Sequence, residues 1–175
     1  MNQQTQSTTL TPLGAVVRGL IAGAAGTAAM DATLFAEYRQ GGGTTSVEDW
    51  EFSKGLTSWE QAPAPAQVGK RVVEGLFQVQ LPPNLAPLVN NATHWSFGIA
   101  AGAGYGLIAG SLRRQHIIYG LPFGATVWAS GYVILPLAKL YEPIWKYDVK
   151  TLAKDLGVHL VFGLGTATAM RLLSR

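Results

Sequence analysis

Long runs of apolar and small residues, separated by shorter polar segments, dominate the pattern of this chain. The clearest run lies between Arg114 and Lys139, where residues 115–138 contain no Asp, Glu, Lys or Arg. At 1.5 Å per residue these 24 residues form a helix long enough to cross a hydrocarbon core of about 30 Å. We therefore expect a transmembrane helix over 115–138.

Three further segments have the same character and predict three more spans. A glycine-rich run over 95–112 carries no formal charge, and another apolar run lies between Asp155 and Arg171, whose charges can reach opposite interfaces. The first run, between Arg18 and Asp31, is shorter and competes with a cleaved signal peptide, although no basic residue precedes Arg18. The four expected spans cover residues 12–37, 93–112, 115–138 and 152–173.

Glycines recur at four-residue steps along one face of the second expected span, in the stretch GIAAGAGYGLIAG. In water each glycine costs a helix about 1 kcal/mol relative to alanine, so this spacing is typical of another solvent. In lipid, small residues let helix backbones approach closely, which is what holds membrane helices together. We predict glycine-zipper packing through nine residues of the four spans: Gly19, Gly23, Gly98, Gly102, Gly106, Gly110, Gly120, Gly124 and Gly163.

These features predict an all-α membrane protein, a four-transmembrane-helix bundle that forms a single domain over 12–175 after a disordered N-terminus, 1–11. The connection between the first two spans, 39–90, is polar or interfacial and contains two helical patterns. Ser46 is placed to begin one as its N-cap, and Val72 lies on the apolar face of the other. We expect one or two amphipathic helices here, lying on the membrane surface or capping the bundle.

The amino-acid composition agrees with a membrane location and excludes several kinds of functional site. Charged residues make up 13% of the 175 residues, about half of the share found in soluble domains. The chain has no cysteine, which excludes disulfides, thiolate metal sites and a cysteine nucleophile. Its net charge of +3 comes from dispersed basic residues rather than from a basic stripe, so we expect no nucleic-acid partner.

Four ionisable residues are expected near the ends of the spans on one side of the bundle: Asp31, His94, Asp155 and His159. Ionisable side chains inside a membrane are costly and indicate structural pairs or a functional site. Capping and interhelical hydrogen bonds are one interpretation, and a proton or solute pathway is another. A third is a divalent metal or a b-type haem held by His94 and His159, although the sequence itself predicts no catalytic residue and no cofactor.

The layout of short glycine-rich spans, with a Trp- and Pro-bearing connection before HWSFGIAAGAGYG, resembles the YagU-like group of bacterial inner-membrane proteins. The resemblance covers about residues 12–173 and implies a small multi-pass inner-membrane protein, without assigning any catalytic residue. The lipid bilayer is then the main partner. The glycine faces pack within the chain or, alternatively, bind a membrane-protein partner or a second copy. The count of basic residues in the two longer connections favours those connections inside, whereas Arg113 and Arg114, in a tight turn, favour cytoplasmic termini, which is the orientation we expect.

The sequence leaves three hypotheses of function open. The first is a structural or accessory membrane protein, alone or as a subunit of a larger membrane complex, without enzymatic turnover. The second is a small transporter or proton-linked channel that uses the aspartate and histidine residues named above. The third is a metal- or haem-binding membrane protein.

Overall fold

All regular structure in the described part of the chain is helical. The computed structural model describes residues 10–53, 55–112 and 114–175. Single 3₁₀ turns at Pro83–Leu85, Ile117–Tyr119 and Ile144–Lys146 lead into the fourth, fifth and sixth α-helices. The α-helices are α1 (Pro12–Gln40), α2 (Val47–Glu51), α3 (Ala64–Phe77), α4 (Ala86–Ser111), α5 (Gly120–Leu137) and α6 (Val149–Leu173). The prediction of an all-α protein is confirmed.

Three of these helices are long and apolar enough to cross a membrane. They are α1, α5 together with the turn before it (Ile117–Leu137), and α6. They correspond to the predicted spans 12–37, 115–138 and 152–173. Their length and composition indicate a multi-pass membrane protein.

The predicted second span, 93–112, falls largely within α4, which is long enough to span a membrane but is not among the three helices that hydropathy selects. α4 has 26 residues and contains no Asp, Glu, Lys or Arg, yet its first half carries Asn90, Asn91 and His94. It also begins earlier than predicted, at Ala86, because Pro87 fits the first turn of a helix, where its missing N–H is no loss. Whether α4 crosses the membrane therefore depends on its packing rather than on hydropathy.

Side-chain capping fixes the starts of two of the long helices, α1 and α6. Thr11 caps α1, since its side chain accepts a hydrogen bond of 3.1 Å from an amide of the first turn. Residues 1–9 of the segment 1–11, which was expected to be disordered, lie outside the described residues. Asp148 caps α6 by accepting a hydrogen bond of 3.0 Å from the Thr151 amide, and its hydrogen bonds with Thr151 lower the pKa of Asp148.

Small residues fill much of the interior, beside a few large side chains such as Tyr105 and Phe162, whereas many large apolar side chains face outward. Ala22 is 0% exposed and Thr27 is 1% exposed, and Met170 is the largest side chain that is fully buried. In water this arrangement would leave an extensive apolar surface, but in lipid that surface is solvated. The exposed large apolar residues of the long helices include Leu13, Ile21, Ile108, Val133, Ile134 and Leu137.

α1 and α4 pack antiparallel through a regular ladder of mostly small residues. A step of four residues forward along α1 is matched by a step of four residues back along α4. A Cβ added to Gly102 would lie 2.5 Å from the carbonyl oxygen of Gly19 and 2.6 Å from the amide nitrogen of Gly23, which leaves it no room. The facing pairs are Ala15–Gly110, Gly19–Gly106, Gly23–Gly102, Thr27–Gly98 and Asp31–His94.

The remaining long helices pack through related contacts. α1 and α6 lie at the centre, with α4 packed on α1 and α5 packed on α6. The rings of Tyr105 on α4 and Phe123 on α5 meet at a centroid distance of 4.8 Å. The closest backbone contacts join Gly120 with Gly163 and Gly124 with His159 between α5 and α6, and Gly26 with Phe162 between α1 and α6.

The connection between α1 and α4 carries the two short helices. Ser46 begins α2 as its N-cap, as predicted. α3 packs on α4, where a Cβ added to Gly69 would lie 2.6 Å from Cγ1 of Val89. Leu76 and Phe77 are nevertheless 73% and 68% exposed. α3 therefore contacts the bundle and also presents an apolar edge.

We expect Gly102→Ala to destabilise the protein, because the added methyl group would overlap the backbone of α1 and force α1 and α4 apart. Overpacking of this kind typically costs about 1–3 kcal/mol. Thermal unfolding of the purified protein in detergent, followed by circular dichroism, measures the loss.

Gly104→Ala is the matched control, since Gly104 lies on the same helix and a Cβ there would meet nothing within 4 Å. Alanine is a better helix former than glycine by about 1 kcal/mol, so this variant should be at least as stable as the wild type. Equal losses of stability in the two variants would contradict the close contact of α1 and α4.

Candidate functional site

The four ionisable residues singled out in the sequence form two pairs in the structure. Asp31 and His94 join α1 to α4, whereas Asp155 and His159 lie one turn apart on α6. Within the described ranges, no hydrogen bond or ion pair links the first pair to the second. Each pair therefore has its own surroundings and its own chemistry.

The pair of Asp31 and His94 forms the last step of the ladder between α1 and α4. Oδ1 of Asp31 lies 2.8 Å from Nε2 of His94. Asp31 is 8% exposed, and its second oxygen, Oδ2, is buried without a hydrogen-bond partner among the residues that the structure describes. A buried carboxylate that lacks a donor is strongly unfavourable, so His94 is the partner that makes this position tolerable.

A second set of polar contacts ties α2 to α4 beside this pair. The indole N–H of Trp95 donates to Oε1 of Glu51 over 2.7 Å, and the side-chain amide of Asn91 donates to the same oxygen over 3.0 Å. The sequence does not single out Glu51, because its partners lie some 40 residues further along the chain. Glu51 thus holds the segment between α1 and α4 against α4, next to His94.

The pair of Asp155 and His159 receives an additional partner from α5. Nδ1 of His159 lies 2.7 Å from the backbone oxygen of Asp155 and 3.4 Å from its Oδ1. The hydroxyl of Tyr132 donates to Oδ2 of Asp155 over 2.9 Å. Tyr132 was not among the predicted site residues, because its role depends on how α5 is rotated against α6.

A cavity of about 460 Å³ opens beside Asp155, where α1 ends and α6 begins. An ion pair closes part of its wall, with Nζ of Lys154 lying 3.2 Å from Oε2 of Glu37. Neither Asp31 nor His94 belongs to the wall. The polar and aromatic residues that do are Glu37, Tyr132, Tyr141, Tyr147, Thr151, Lys154 and Asp155.

Tyr141, in the loop before α6, stays a neutral hydroxyl at physiological pH. Burial raises the pKa of Tyr141, and the nearby carboxylate of Asp155 raises it further. Tyr141 therefore acts as hydrogen-bonding and aromatic surface in the cavity rather than as a source of charge.

The two histidines that were weighed as ligands of a metal or haem have hydrogen-bonding partners in separate pairs. His94 meets Asp31 through Nε2, and His159 meets the backbone of Asp155 through Nδ1. Over residues 10–53, 55–112 and 114–175, no group of three or more His, Asp or Glu side chains could hold a metal ion. The arrangement favours a role of His94 in helix packing and of His159 as a neighbour of Asp155.

No family model, no curated protein and no solved structure matches this chain. The resemblance to the YagU-like group remains a prediction that depends on the layout of the sequence. The function is therefore inferred from the contacts within the chain itself.

We expect His94→Ala to destabilise the protein, because Asp31 would keep a buried carboxylate without its donor. Leaving a buried polar group unsatisfied in this way costs about 1–3 kcal/mol. Thermal unfolding in detergent measures the loss, and His116→Ala is the control because His116 is exposed.

Because Asp31 and His94 are in contact, the double variant Asp31→Ala/His94→Ala should lose less stability than the sum of the two single losses. Additive losses, or an equal loss in the His116→Ala control, would show that the pair is not a structural unit.

Proposed function

We propose that this chain is a structural or accessory membrane protein, a four-span bundle that packs through a glycine zipper. The observation that carries the proposal is the distribution of side chains. Glycine, alanine and threonine occupy the closest contacts between helices, together with a few larger side chains such as Phe162 and Met170, while many leucine, isoleucine and valine side chains face outward. Lipid is as apolar as those outward side chains, so close backbone packing must hold the helices together. Contacts between the chain's own helices therefore hold the protein together.

The position of α4 supports its assignment as the fourth span. α4 runs antiparallel to α1 from the contact of Ala15 with Gly110 to the pair of Asp31 and His94. That stretch of α1 is about 24 Å long at 1.5 Å per residue, most of the thickness of a hydrocarbon core. Ile108 of α4 is 64% exposed, which suits contact with lipid. A helix that follows a spanning helix over this length shares its depth in the membrane.

The glycine contacts favour packing within the chain over docking of a partner. A Cβ added to any of the nine predicted packing glycines would overlap another helix of the same chain or its side chains. Those faces are thus occupied in the monomer. A partner protein or a second copy would have to bind the outward apolar surface instead.

The charge distribution and the layout support a location for the protein. In the four-span arrangement, the segment between the second and third spans and both chain ends share one side of the membrane. Arg113 and Arg114, which follow the second span in the sequence, favour the cytoplasmic side by the positive-inside rule. The YagU-like layout supports the bacterial inner membrane.

A proton or solute pathway is the second candidate function, and the cavity beside Asp155 is the observation that favours it. Carboxylates and histidines within membrane helices form such pathways in transporters. The cavity reaches Asp155, but Asp31 and His94 do not line it. The described polar residues therefore do not mark one continuous route across the bundle, and the structural role ranks first.

Single-cysteine variants can measure the number of spans, since the chain has no cysteine of its own. We expect Thr57→Cys and Glu142→Cys to react with a membrane-impermeant maleimide from one side of the membrane. Ser111→Cys and Arg175→Cys should react from the other side. All four positions are exposed.

An arrangement with three spans, in which α4 lies on the surface, gives a different labelling pattern. Thr57 and Ser111 would then share a side, and Glu142 would lie opposite both of them. That pattern would contradict the four-span bundle, whereas the pattern expected above would contradict a surface position of α4.

The accessory role also predicts that the protein carries no proton flux of its own. Proteoliposomes that contain a pH-sensitive dye and an imposed proton gradient should lose the gradient at the rate of protein-free vesicles. A faster decay in the wild type that His94→Ala/His159→Ala abolishes, and that the control His116→Ala keeps, would instead support the pathway.

A further inference from the structure

The cavity beside Asp155 has an aromatic wall. Tyr132, Tyr141 and Tyr147 all contribute to it, the first from α5 and the other two from the loop before α6. Their rings are in mutual contact, with centroid distances of 5.4 Å for Tyr132 and Tyr147, 5.7 Å for Tyr132 and Tyr141, and 6.1 Å for Tyr141 and Tyr147. Aromatic rings attract ammonium groups within about 6 Å of the ring centre, and clusters of them bind quaternary ammonium ligands.

The same wall carries one carboxylate in excess of its basic groups. Glu37 and Lys154 neutralise each other as an ion pair. Asp155 makes no ion pair with a lysine or arginine in the part of the chain that the structure describes. Its carboxylate accepts a hydrogen bond from the neutral hydroxyl of Tyr132 and lies beside the ring of His159. Counted over its carboxylate and lysine groups, the wall keeps one net negative charge.

The volume of the cavity and its position in the bundle indicate what kind of cationic molecule can bind there. A volume of about 460 Å³ is within the range of small-molecule sites and leaves ample room for a headgroup the size of choline. The cavity lies where α1 ends and α6 begins, and nearby Trp145 is 78% exposed. Exposed tryptophan at a helix end is typical of the membrane interface, where lipid headgroups lie.

We propose that this cavity binds an ammonium group, with Asp155 as the counter-charge and the three tyrosines as the aromatic wall. The ammonium group belongs either to a zwitterionic lipid headgroup or to a free amine from the aqueous side. The site goes beyond the accessory role and does not depend on the number of spans. Its walls come from α1, α5, α6 and the loop before α6, which a surface position of α4 would leave unchanged.

Titration calorimetry of the full chain in dodecyl maltoside tests whether binding requires a positive charge on the ligand. The two probes are choline and the alcohol in which a neutral quaternary carbon replaces the choline nitrogen, because these molecules have nearly the same shape. We expect choline to bind at least about tenfold more tightly than its neutral isostere. Equal binding of the two probes, or no binding of choline, overturns the proposal.

Variants test the two parts of the site separately. Asp155→Asn keeps the shape and removes the charge, and Tyr147→Leu removes one ring, so each should weaken choline binding about tenfold. Tyr147→Phe keeps the ring and should bind choline within about twofold of the wild type. Tyr119→Leu, at the opposite end of α5 and outside the wall, is the matched control.

Wild-type affinity in both Asp155→Asn and Tyr147→Leu overturns the proposal. If either of these variants fails to fold, the comparison of choline with its neutral isostere on the wild-type protein still tests the proposal, because it needs no substitution.

Nanodiscs of defined lipid distinguish the two sources of the ammonium group. In phosphatidylglycerol nanodiscs, whose lipid has no ammonium group, choline should bind as it does in detergent. In phosphatidylcholine nanodiscs, weaker choline binding identifies the lipid headgroup as the occupant, and unchanged binding identifies a free amine. Both of these results support the site, whereas loss of choline binding in phosphatidylglycerol nanodiscs overturns it.

Discussion

Direct contact between helix backbones is the constraint on which the rest of this structure depends. Lipid offers no hydrophobic gain when two apolar helices meet, so their association depends on van der Waals contact over a close interface. At Gly23 and Gly102 the backbones of α1 and α4 touch without an intervening side chain. Because the small residues recur at every fourth position, this contact repeats along the helix. Large side chains are consequently left for the outside, where lipid solvates them.

The same ladder explains where the buried polar residues lie. Asp31 follows Thr27 by four residues on α1, and His94 precedes Gly98 by four residues on α4, so the pair occupies the next step after the small ones. A charge on the lipid-facing side would lack any partner, whereas a position between two close helices provides one from the neighbouring helix. Packing and polar pairing are therefore two uses of one helix face.

The cavity lies where this close packing ends. The face of α5 that carries Gly120 and Gly124 continues, at the same four-residue spacing, with Trp128 and Tyr132. The rings of those two residues contact each other at a centroid distance of 5.2 Å. Aromatic side chains of this size need space that glycine does not, so α5 and α6 cannot remain in backbone contact at this end. The space is lined by tyrosines and by Asp155.

The sequence by itself determined the helical class, three apolar helices suited to a membrane, the N-cap at Ser46 and the positions of the glycines. These properties depend on residues that lie a few positions apart in the sequence, because hydropathy, capping and four-residue spacing are local patterns. Hydropathy alone did not mark α4, since its first half carries Asn90, Asn91 and His94 and its second half is rich in glycine, which is small without being strongly apolar.

Only the tertiary structure decided which polar residues meet. Asp31 and His94 are separated by 63 residues in the chain, and Tyr132 and Asp155 by 23. Such pairs depend on how each helix is rotated and how far it is shifted against its neighbour. A periodic pattern identifies the face of a helix that is buried, but it does not specify which face of which other helix will cover it.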